Sequence, residues 1–303
     1  MDTVRFNKSV KWLFYTDQDL SCFDVPANVC VKSSSFSQMR ALIRDRLRLE
    51  PAYQVPWDLC KFRGAFGKIF ADDLADADYW GWTDCDLVYG DLSLVMEECK
   101  KGFEKVMPKG HLSVLKNESD LINGIVDHPK IRAILDAAQQ YANTGCVDEE
   151  ELRFEVLPEL GVRQSNELPY ANFYPRYGHF QLQDALPLCR RLGYSENPIP
   201  GLDLPCVFVW KDGKISGSFA MPNGEVRHEE CVYVHFFKRE IRMYPMRLEQ
   251  GHSYLIAPNY IREYDGHPLS WAEVVNLDRH RIHWGYFLKR LNLKTIARKI
   301  RKA

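Results

Sequence analysis

The chain has 303 residues, of which 46% are hydrophobic, so it can bury a sizeable core and is not a disordered protein. Its formal net charge of −1 is not that of a general nucleic-acid-binding protein, and no nucleic acid is expected among its partners. No apolar run approaches the roughly 18 residues of a membrane-spanning helix, and no secretory leader opens the chain.

The first elements alternate between strand and helix. Apolar runs at residues 10–15 and 29–32 predict two short strands. Ser35 predicts the N-cap of a helix over residues 36–47, because apolar side chains recur there at helical spacing. A longer helix is predicted over residues 58–74 for the same reason. This order of strand and helix is typical of parallel α/β proteins.

The next segment is aromatic at its start and acidic further on. Residues 79–92 begin as a strand and break at aspartate and glycine positions. Residues 110–116 predict a further strand, and residues 119–141 predict a largely helical segment.

The later part of the chain changes to consecutive strands. Residues 206–210, 214–221 and 225–237 predict strands that are joined by hairpin turns at Asp212-Gly213 and Asn223-Gly224. A short helix is predicted over residues 270–277. The patterns together predict one α/β domain over residues 1–278, with a mixed sheet flanked by helices and an antiparallel meander at about residues 205–240.

Residues 279–303 predict a basic, amphipathic C-terminal helix. From Arg279 to Lys302 there are nine Lys or Arg and no Asp or Glu. The rest of the chain contains the other 31 basic residues and all 41 acidic residues, so its formal charge is −10. A basic amphipathic helix suits peripheral binding to an anionic membrane. The alternative is a helix packed on the body of the protein with its charges in water.

The nine cysteines are scattered and form no Cys-x-x-Cys pair, so the sequence does not predict a zinc ribbon or a thioredoxin-type site. An odd, scattered set of cysteines suits a reducing compartment. The protein is therefore expected in the cytoplasm, and at the inner face of the membrane if the C-terminal helix binds anionic lipid.

Three Asp-x-Asp tripeptides are candidate metal sites: Asp17/Asp19, Asp76/Asp78 and Asp84/Asp86. Only Asp84/Asp86 directly follows a strand that is expected to be buried, where residue alternation places both carboxylates on one face. Neighbouring carboxylates repel each other unless a cation lies between them. Oxygen ligands favour Mg²⁺ or Mn²⁺, with substrate phosphates as further ligands. The alternative is that both aspartates only cap a turn.

His235 is the second candidate ligand, because it ends an apolar strand and is soon followed by Lys238 and Arg239. Its imidazole would complete the coordination of the metal, and the cations would offset the charge of a diphosphate. The alternative is a hydrogen-bonded core histidine beside a solvated basic turn.

Asp148 and Glu149 open an acidic cluster at residues 148–151 and are candidate catalytic residues. If an acceptor attacks a sugar with inversion, a carboxylate must accept its proton. Retention and inversion both remain open. The alternative for these carboxylates is a solvated helix start, where acidic side chains are favourable.

Five motifs in one order resemble a DUF6625-like family of bacterial proteins encoded among capsular and lipopolysaccharide biosynthesis genes. They are residues 57–67 (WDLCKFRGAFG), 79–92 (YWGWTDCDLVYGDL), 110–113 (GHLS), 175–177 (PRY) and 233–239 (YVHFFKR). That family looks like metal-dependent glycosyltransferases of the GT-A fold, which is a Rossmann-type mixed sheet flanked by helices.

The resemblance implies a nucleotide-sugar donor, a polysaccharide or lipid-linked glycan acceptor, and Mn²⁺ or Mg²⁺ as cofactor. It implies that Asp84, Asp86 and His235 hold the metal. Asp84 is also expected to bind the donor, together with Arg63 and Lys238.

Two departures from the family pattern bear on donor binding. The resemblance implies that the chain lacks a first strand and helix before the segment that matches residues 7–17, and Lys61 stands where the family often has aspartate. A degenerate, non-catalytic module that binds nucleotide or glycan is therefore the alternative function. A nucleotidyltransferase is less favoured, because the sequence has no glycine-rich phosphate loop.

Overall fold

The computed structural model describes residues 2–50, 52, 55–139, 151–173, 180–182, 185–195, 202–236, 241–244 and 247–278. In these ranges the strands are β1 (Trp12–Thr16), β2 (Val29–Ser33), β3 (Tyr79–Thr83), β4 (Leu87–Tyr89), β5 (Lys105–Lys109), β6 (Leu112–Lys116), β7 (Gln164–Ser165), β8 (Ala171–Asn172), β9 (Cys206–Lys211), β10 (Lys214–Ala220), β11 (Val226–Cys231), β12 (Tyr233–His235), β13 (Arg242–Tyr244), β14 (Ser253–Ala257) and β15 (Tyr260–Tyr264).

The α-helices of the same ranges are α1 (Phe36–Leu47), α2 (Phe66–Ile69), α3 (Ala71–Leu74), α4 (Ser93–Lys100), α5 (Ser119–Asp127), α6 (Pro129–Ala137), α7 (Leu157–Glu159), α8 (Leu186–Arg191) and α9 (Trp271–Asp278). Short 3₁₀ helices cover Asp2–Phe6 and Pro56–Ala65, and a π-helical turn covers Glu151–Val156.

The chain forms two compact units. The first contains Met1–Cys85 and Leu92–Leu168, and the second contains Asp86–Asp91 and Pro169–Ala303. Compact units of this kind also occur within single domains, so one domain over residues 1–278 stays a prediction.

The first unit begins with the parallel pair β1 and β2, followed by α1. The predicted cap of α1 is confirmed, because the Ser35 hydroxyl accepts a hydrogen bond from the Gln38 N–H at 3.2 Å. The Gln38 side chain in turn accepts from the Ser35 N–H at 2.8 Å. This reciprocal pair satisfies two of the N–H groups that a helix start leaves without intrahelical partners.

The predicted helix over residues 58–74 is only partly right. The structure has a 3₁₀ helix followed by the one-turn helices α2 and α3, which meet at Phe70. Gly64 and Gly67 weaken a continuous helix, and Gly67 is needed for packing, since a Cβ atom there would lie 2.6 Å from the Trp80 ring.

The larger sheet of the first unit has the strand order β3-β6-β5-β7, with antiparallel β3–β6 and β5–β6 pairs and a parallel β5–β7 pair. Its apolar face packs on the helices in one core cluster that includes Ile43, Phe62, Trp80, Leu115 and Ile125. β6 confirms the strand predicted at residues 110–116. The helices α5 and α6 confirm the helical segment predicted from residue 119.

The second unit contains a sheet of order β11-β10-β9-β14-β15-β13. The hairpin turn between β9 and β10 is confirmed, because Asp212 and Gly213 both have positive φ, at 48° and 82°. The sheet is larger than the predicted meander, since β14 pairs antiparallel with β9 and β15 pairs antiparallel with β14.

The strand predicted over residues 225–237 is only partly right, because the chain breaks at Val232 into β11 and β12. β12 leaves the meander and pairs antiparallel with β4 and parallel with β8. This separate three-stranded sheet brings the end of β12 next to the start of β4.

A mixed α/β fold is thus confirmed, and the finer GT-A arrangement stays a prediction. The basic helix predicted over residues 279–303 lies outside the described residues. No helix in the described part of the chain is long and apolar enough to cross a membrane. The cysteines in that part are free thiols.

Candidate metal centre

Asp84 directly follows β3, where hydrogen bonds to the backbone of His111 hold the chain. The Asp84 N–H donates to the His111 carbonyl at 3.0 Å. The Thr83 hydroxyl donates to the same oxygen at 2.9 Å. These contacts continue the pairing of β3 with β6 by one residue, so the position of Asp84 is set by the sheet and not by a free loop.

Arg63 donates a hydrogen bond to the Asp84 carboxylate and a second, at 3.2 Å, to the Gly110 carbonyl. Arg63 lies near the end of the 3₁₀ helix Pro56–Ala65. Because the Asp84 side chain is only 26% exposed, this ion pair is partly protected from solvent. A cation at Asp84 would therefore share this carboxylate with Arg63 or displace it.

Asp86 stands immediately before β4 and opposite the end of β12. The Phe236 N–H donates to the Asp86 carbonyl at 3.1 Å, which extends the β4–β12 pairing to this residue. The His235 Nε2 atom lies 3.3 Å from the Asp86 Oδ1 atom. The Asp86 side chain is 41% exposed, whereas that of His235 is 4% exposed.

Asn172 orients the His235 ring from the neighbouring strand. It lies opposite His235 in the parallel β8–β12 pair, and its Oδ1 atom is 2.8 Å from His235 Nδ1. An amide oxygen only accepts hydrogen bonds, so the proton of this bond belongs to Nδ1. Nε2 therefore faces Asp86 either with a second proton or with a lone pair available to a metal, as in many metal-binding histidines.

One ligand atom from each of Asp84, Asp86 and His235 lies within 4.8 Å of the other two. This spacing is close to the separation of at most about 4.4 Å between two ligands that each lie about 2.0–2.2 Å from one divalent cation, so a small closure of the three side chains would hold one. Two carboxylates suit Mg²⁺ and Mn²⁺, and the imidazole favours Mn²⁺ of the two. Since both aspartates are partly exposed, coordination positions are left for substrate oxygens.

The structure thus brings together the three residues predicted to bind a metal, and it adds Arg63 through Asp84. Asp148, Glu149 and Lys238 lie outside the described residues, so their roles stay predictions. Asp19 instead accepts hydrogen bonds from the N–H and hydroxyl of Ser21, which lower the pKa of its carboxyl group.

Sequence reasoning did not find Asn172 or the two carbonyl groups that hold the site. Asn172 lies in a two-residue strand, which is too short to show any periodicity. The motif at residues 110–113 did point to this region, but backbone carbonyls carry no side-chain signal. Their partners are set by the pairing of β3 with β6.

Comparison with known proteins gives a family without an assigned activity. The sequence profile of a family of unknown function (DUF6625) matches residues 1–265. No curated protein and no solved structure matches the chain. Because the profile covers most of the chain, this protein belongs to the DUF6625 family.

Proposed function

We propose that this protein is a divalent-metal-dependent glycosyltransferase of the GT-A type. It would move a sugar from a nucleotide-sugar donor to a polysaccharide or lipid-linked glycan acceptor. The observation that carries the proposal is the group formed by Asp84, Asp86 and His235. The sugar-nucleotide part of it rests on the order of the motifs around these residues, which resembles that of capsular and lipopolysaccharide glycosyltransferases.

Each residue of the site has a distinct role in this proposal. Asp86 and the Nε2 atom of His235 hold the cation, with the ring fixed by Asn172. Asp84 contacts the same cation or the donor ribose. Bound Mn²⁺ or Mg²⁺ would neutralise the negative charge that develops on the departing diphosphate.

Arg63 is the second source of positive charge. It donates to the Asp84 carboxylate and to the Gly110 carbonyl, so it can contact a phosphate when its bond to Asp84 is exchanged. Lys238 would add charge in the same way. Asp148 or Glu149 would accept the proton of the acceptor hydroxyl if the reaction inverts the sugar.

The test is Asp86→Asn, which keeps the shape of the side chain and removes its charge. Mn²⁺ binding is measured by calorimetry, and hydrolysis and transfer are measured across a panel of nucleotide sugars. Both are expected to fall by at least about a hundredfold, because one of three ligands is lost. The matched control is Asp76→Asn, in another Asp-x-Asp tripeptide, which is exposed and is expected to behave as the wild type. Full activity of Asp86→Asn, or of the wild type in excess chelator, excludes the metal mechanism.

A non-catalytic binding module is the second candidate, and the Arg63–Asp84 ion pair favours it. If this pair persists when nucleotide is present, Asp84 contributes little to metal binding. The chain would then bind nucleoside diphosphates without transferring sugar. Binding of a nucleoside diphosphate by calorimetry, with no product by mass spectrometry for any donor, would support this function over the first.

A further inference from the structure

The first unit contains a cavity of about 610 Å³ next to its parallel strand pair. Residues 8–11, which lead into β1, and residues 26–28, which lead into β2, form most of its wall. The cavity therefore lies at the amino ends of the two strands, whereas open α/β sheets usually bind ligands at the carboxyl ends. Its volume is within the range of about 300–1,000 Å³ that is typical of small-molecule sites.

The charge of this cavity is positive. Its lining includes Arg5, Lys8 and Lys11 and no acidic residue among those the structure describes. Lys8 and Lys11 are exposed, and Lys11 also has an electrostatic interaction with Asp73, which lies beyond ion-pair distance. Arg5 donates to the carboxylate of Asp24 at 3.0 Å and to its carbonyl at 3.2 Å, so one cation of the three is compensated.

The wall between the charges is apolar and held in place by one side chain. Val10, Pro26 and Ala27 contribute the apolar lining. The Asn28 amide nitrogen lies within hydrogen-bond distance of the carbonyls of Val4, at 2.8 Å, and of Val10, at 3.2 Å. The Trp12 N–H in turn donates to the Asn28 carbonyl at 2.8 Å. Asn28 thus ties the segments before β1 and β2 together without a ligand, which lowers the entropic cost of binding.

We propose that this cavity binds a phosphate monoester with an apolar organic part. The two exposed lysines match the two negative charges of such a phosphate, and charge-assisted hydrogen bonds to it are strong. The apolar wall contacts the organic part. This site does not rest on the metal centre or on the proposed transferase activity, because none of its residues belongs to that group.

The experiment is calorimetry of the full chain in excess chelator, with inorganic phosphate and phenyl phosphate as probes. The wild type is expected to bind phenyl phosphate more tightly than inorganic phosphate, since only the former has an apolar part. The double variant Lys8→Gln/Lys11→Gln is expected to bind phenyl phosphate about tenfold more weakly, or about 1.4 kcal/mol. The matched control is Lys211→Gln/Lys214→Gln, which removes two exposed lysines next to the Asp212-Gly213 turn and should leave the affinity unchanged.

Three results would overturn the proposal: no binding of either probe by the wild type, equal affinity of the Lys8/Lys11 variant, or an equal loss in the control. Circular dichroism of each variant verifies that it is folded. Asp86→Asn is expected to bind phenyl phosphate as the wild type does, so a failure of the transferase proposal leaves this test unaffected.

Discussion

At the scale of single residues, the metal centre depends on side chains whose partners come from distant parts of the sequence. His235 is buried between Asp86 and Asn172, and its two ring nitrogens have different surroundings. The Asp84 carboxylate forms an ion pair with Arg63. Because Arg63 contacts Asp84 and Asn172 orients His235, metal affinity should respond to residues that never touch the metal.

Replacing Asn172 by alanine should lower the affinity for Mn²⁺ by about ten- to a hundredfold, because Nδ1 of His235 would lose the acceptor that orients the ring. Calorimetry with Mn²⁺ measures this change. Asn172→Asp retains an acceptor oxygen at the same place and should recover most of the affinity. An unchanged affinity in Asn172→Ala would show that Asn172 does not position the histidine.

Replacing Arg63 by glutamine should have opposite effects on metal binding and turnover. The affinity for Mn²⁺ should rise by about three- to tenfold, because the guanidinium no longer competes for the Asp84 carboxylate. Transfer should fall, because a cation that contacts the diphosphate is lost. Arg63→Lys, which keeps the charge, should bind Mn²⁺ like the wild type; a weaker affinity in Arg63→Gln would contradict the competition.

At the scale of elements, close approach between strands decides where glycine is required. Gly81 in β3 faces the Ser113 carbonyl of β6 so closely that a Cβ atom would overlap it. A Cβ atom on Gly90 would lie 2.5 Å from the Cys231 carbonyl. Both glycines stand in the motif at residues 79–92, so backbone packing explains these two positions of the motif.

Gly81→Ala should therefore lower the free energy of unfolding by about 1–3 kcal/mol, because neither backbone can move without breaking the sheet. Gly124→Ala in α5 is the matched control, since a Cβ atom there would meet Leu160 only at an ordinary 3.4 Å. It should raise stability by up to about 1 kcal/mol, as alanine is the better helix former. Urea unfolding measures both. Equal stability of Gly81→Ala and the wild type would contradict the close approach.

The stability of the start of α9 should fall both at low pH and at high pH. Hydrogen bonds from Ser270, and then from His267, lower the pKa of Glu273 to about 2. Hydrogen bonds to Asp265 and Glu273 raise the pKa of His267 above its usual 6.5. The glutamate contribution is present above its unfolded pKa of 4.5 and is lost as pH falls towards 2. The histidine contribution is present below pH 6.5 and is lost as pH rises through the raised value.

The start of α9 is thus expected to be most stable between about pH 4.5 and pH 6.5. An NMR titration of the His267 ring should give a pKa above 6.5 in the wild type, and a value closer to 6.5 in Glu273→Gln. The protection factors of the α9 amides, which correct for the intrinsic pH dependence of exchange, should then lose their dependence on pH above 6.5 in His267→Gln. A titration of His267 at its usual value in the wild type would refute this account.

At the scale of the whole molecule, charge is distributed unevenly along the chain. The nine basic residues from Arg279 to Lys302 follow a body with a formal charge of −10. Each basic residue near an anionic membrane surface contributes about 1 kcal/mol to binding. A peripheral membrane contact through this end of the chain is therefore a prediction of the sequence alone.

Vesicle flotation tests this contact. The full chain should float with vesicles that contain phosphatidylglycerol and remain unbound to neutral phosphatidylcholine vesicles. A chain that ends at residue 278 should bind neither. Binding to anionic vesicles should weaken in high salt, because screening shortens the range of the attraction. Equal flotation of the two chains would exclude the C-terminal segment as the membrane contact.

The sequence by itself determined the elements whose signals are local. Ser35 and the helical periodicity after it set α1, and the Asp212-Gly213 pair set the β9–β10 hairpin, because both signals act between near neighbours in the chain. It also singled out Asp84, Asp86 and His235, through carboxylate spacing, strand ends and a motif resemblance.

The tertiary structure alone decided which of these residues meet. Pairing of β12 with β4 and β8, and not with the meander, places His235 beside Asp86 and Asn172. Such pairing joins segments about 60 to 150 residues apart, and no local pattern specifies a partner at that distance. The basic cavity could not be predicted from the sequence for the same reason. Residues 8–11 and 26–28 form one wall only when β1 and β2 lie side by side.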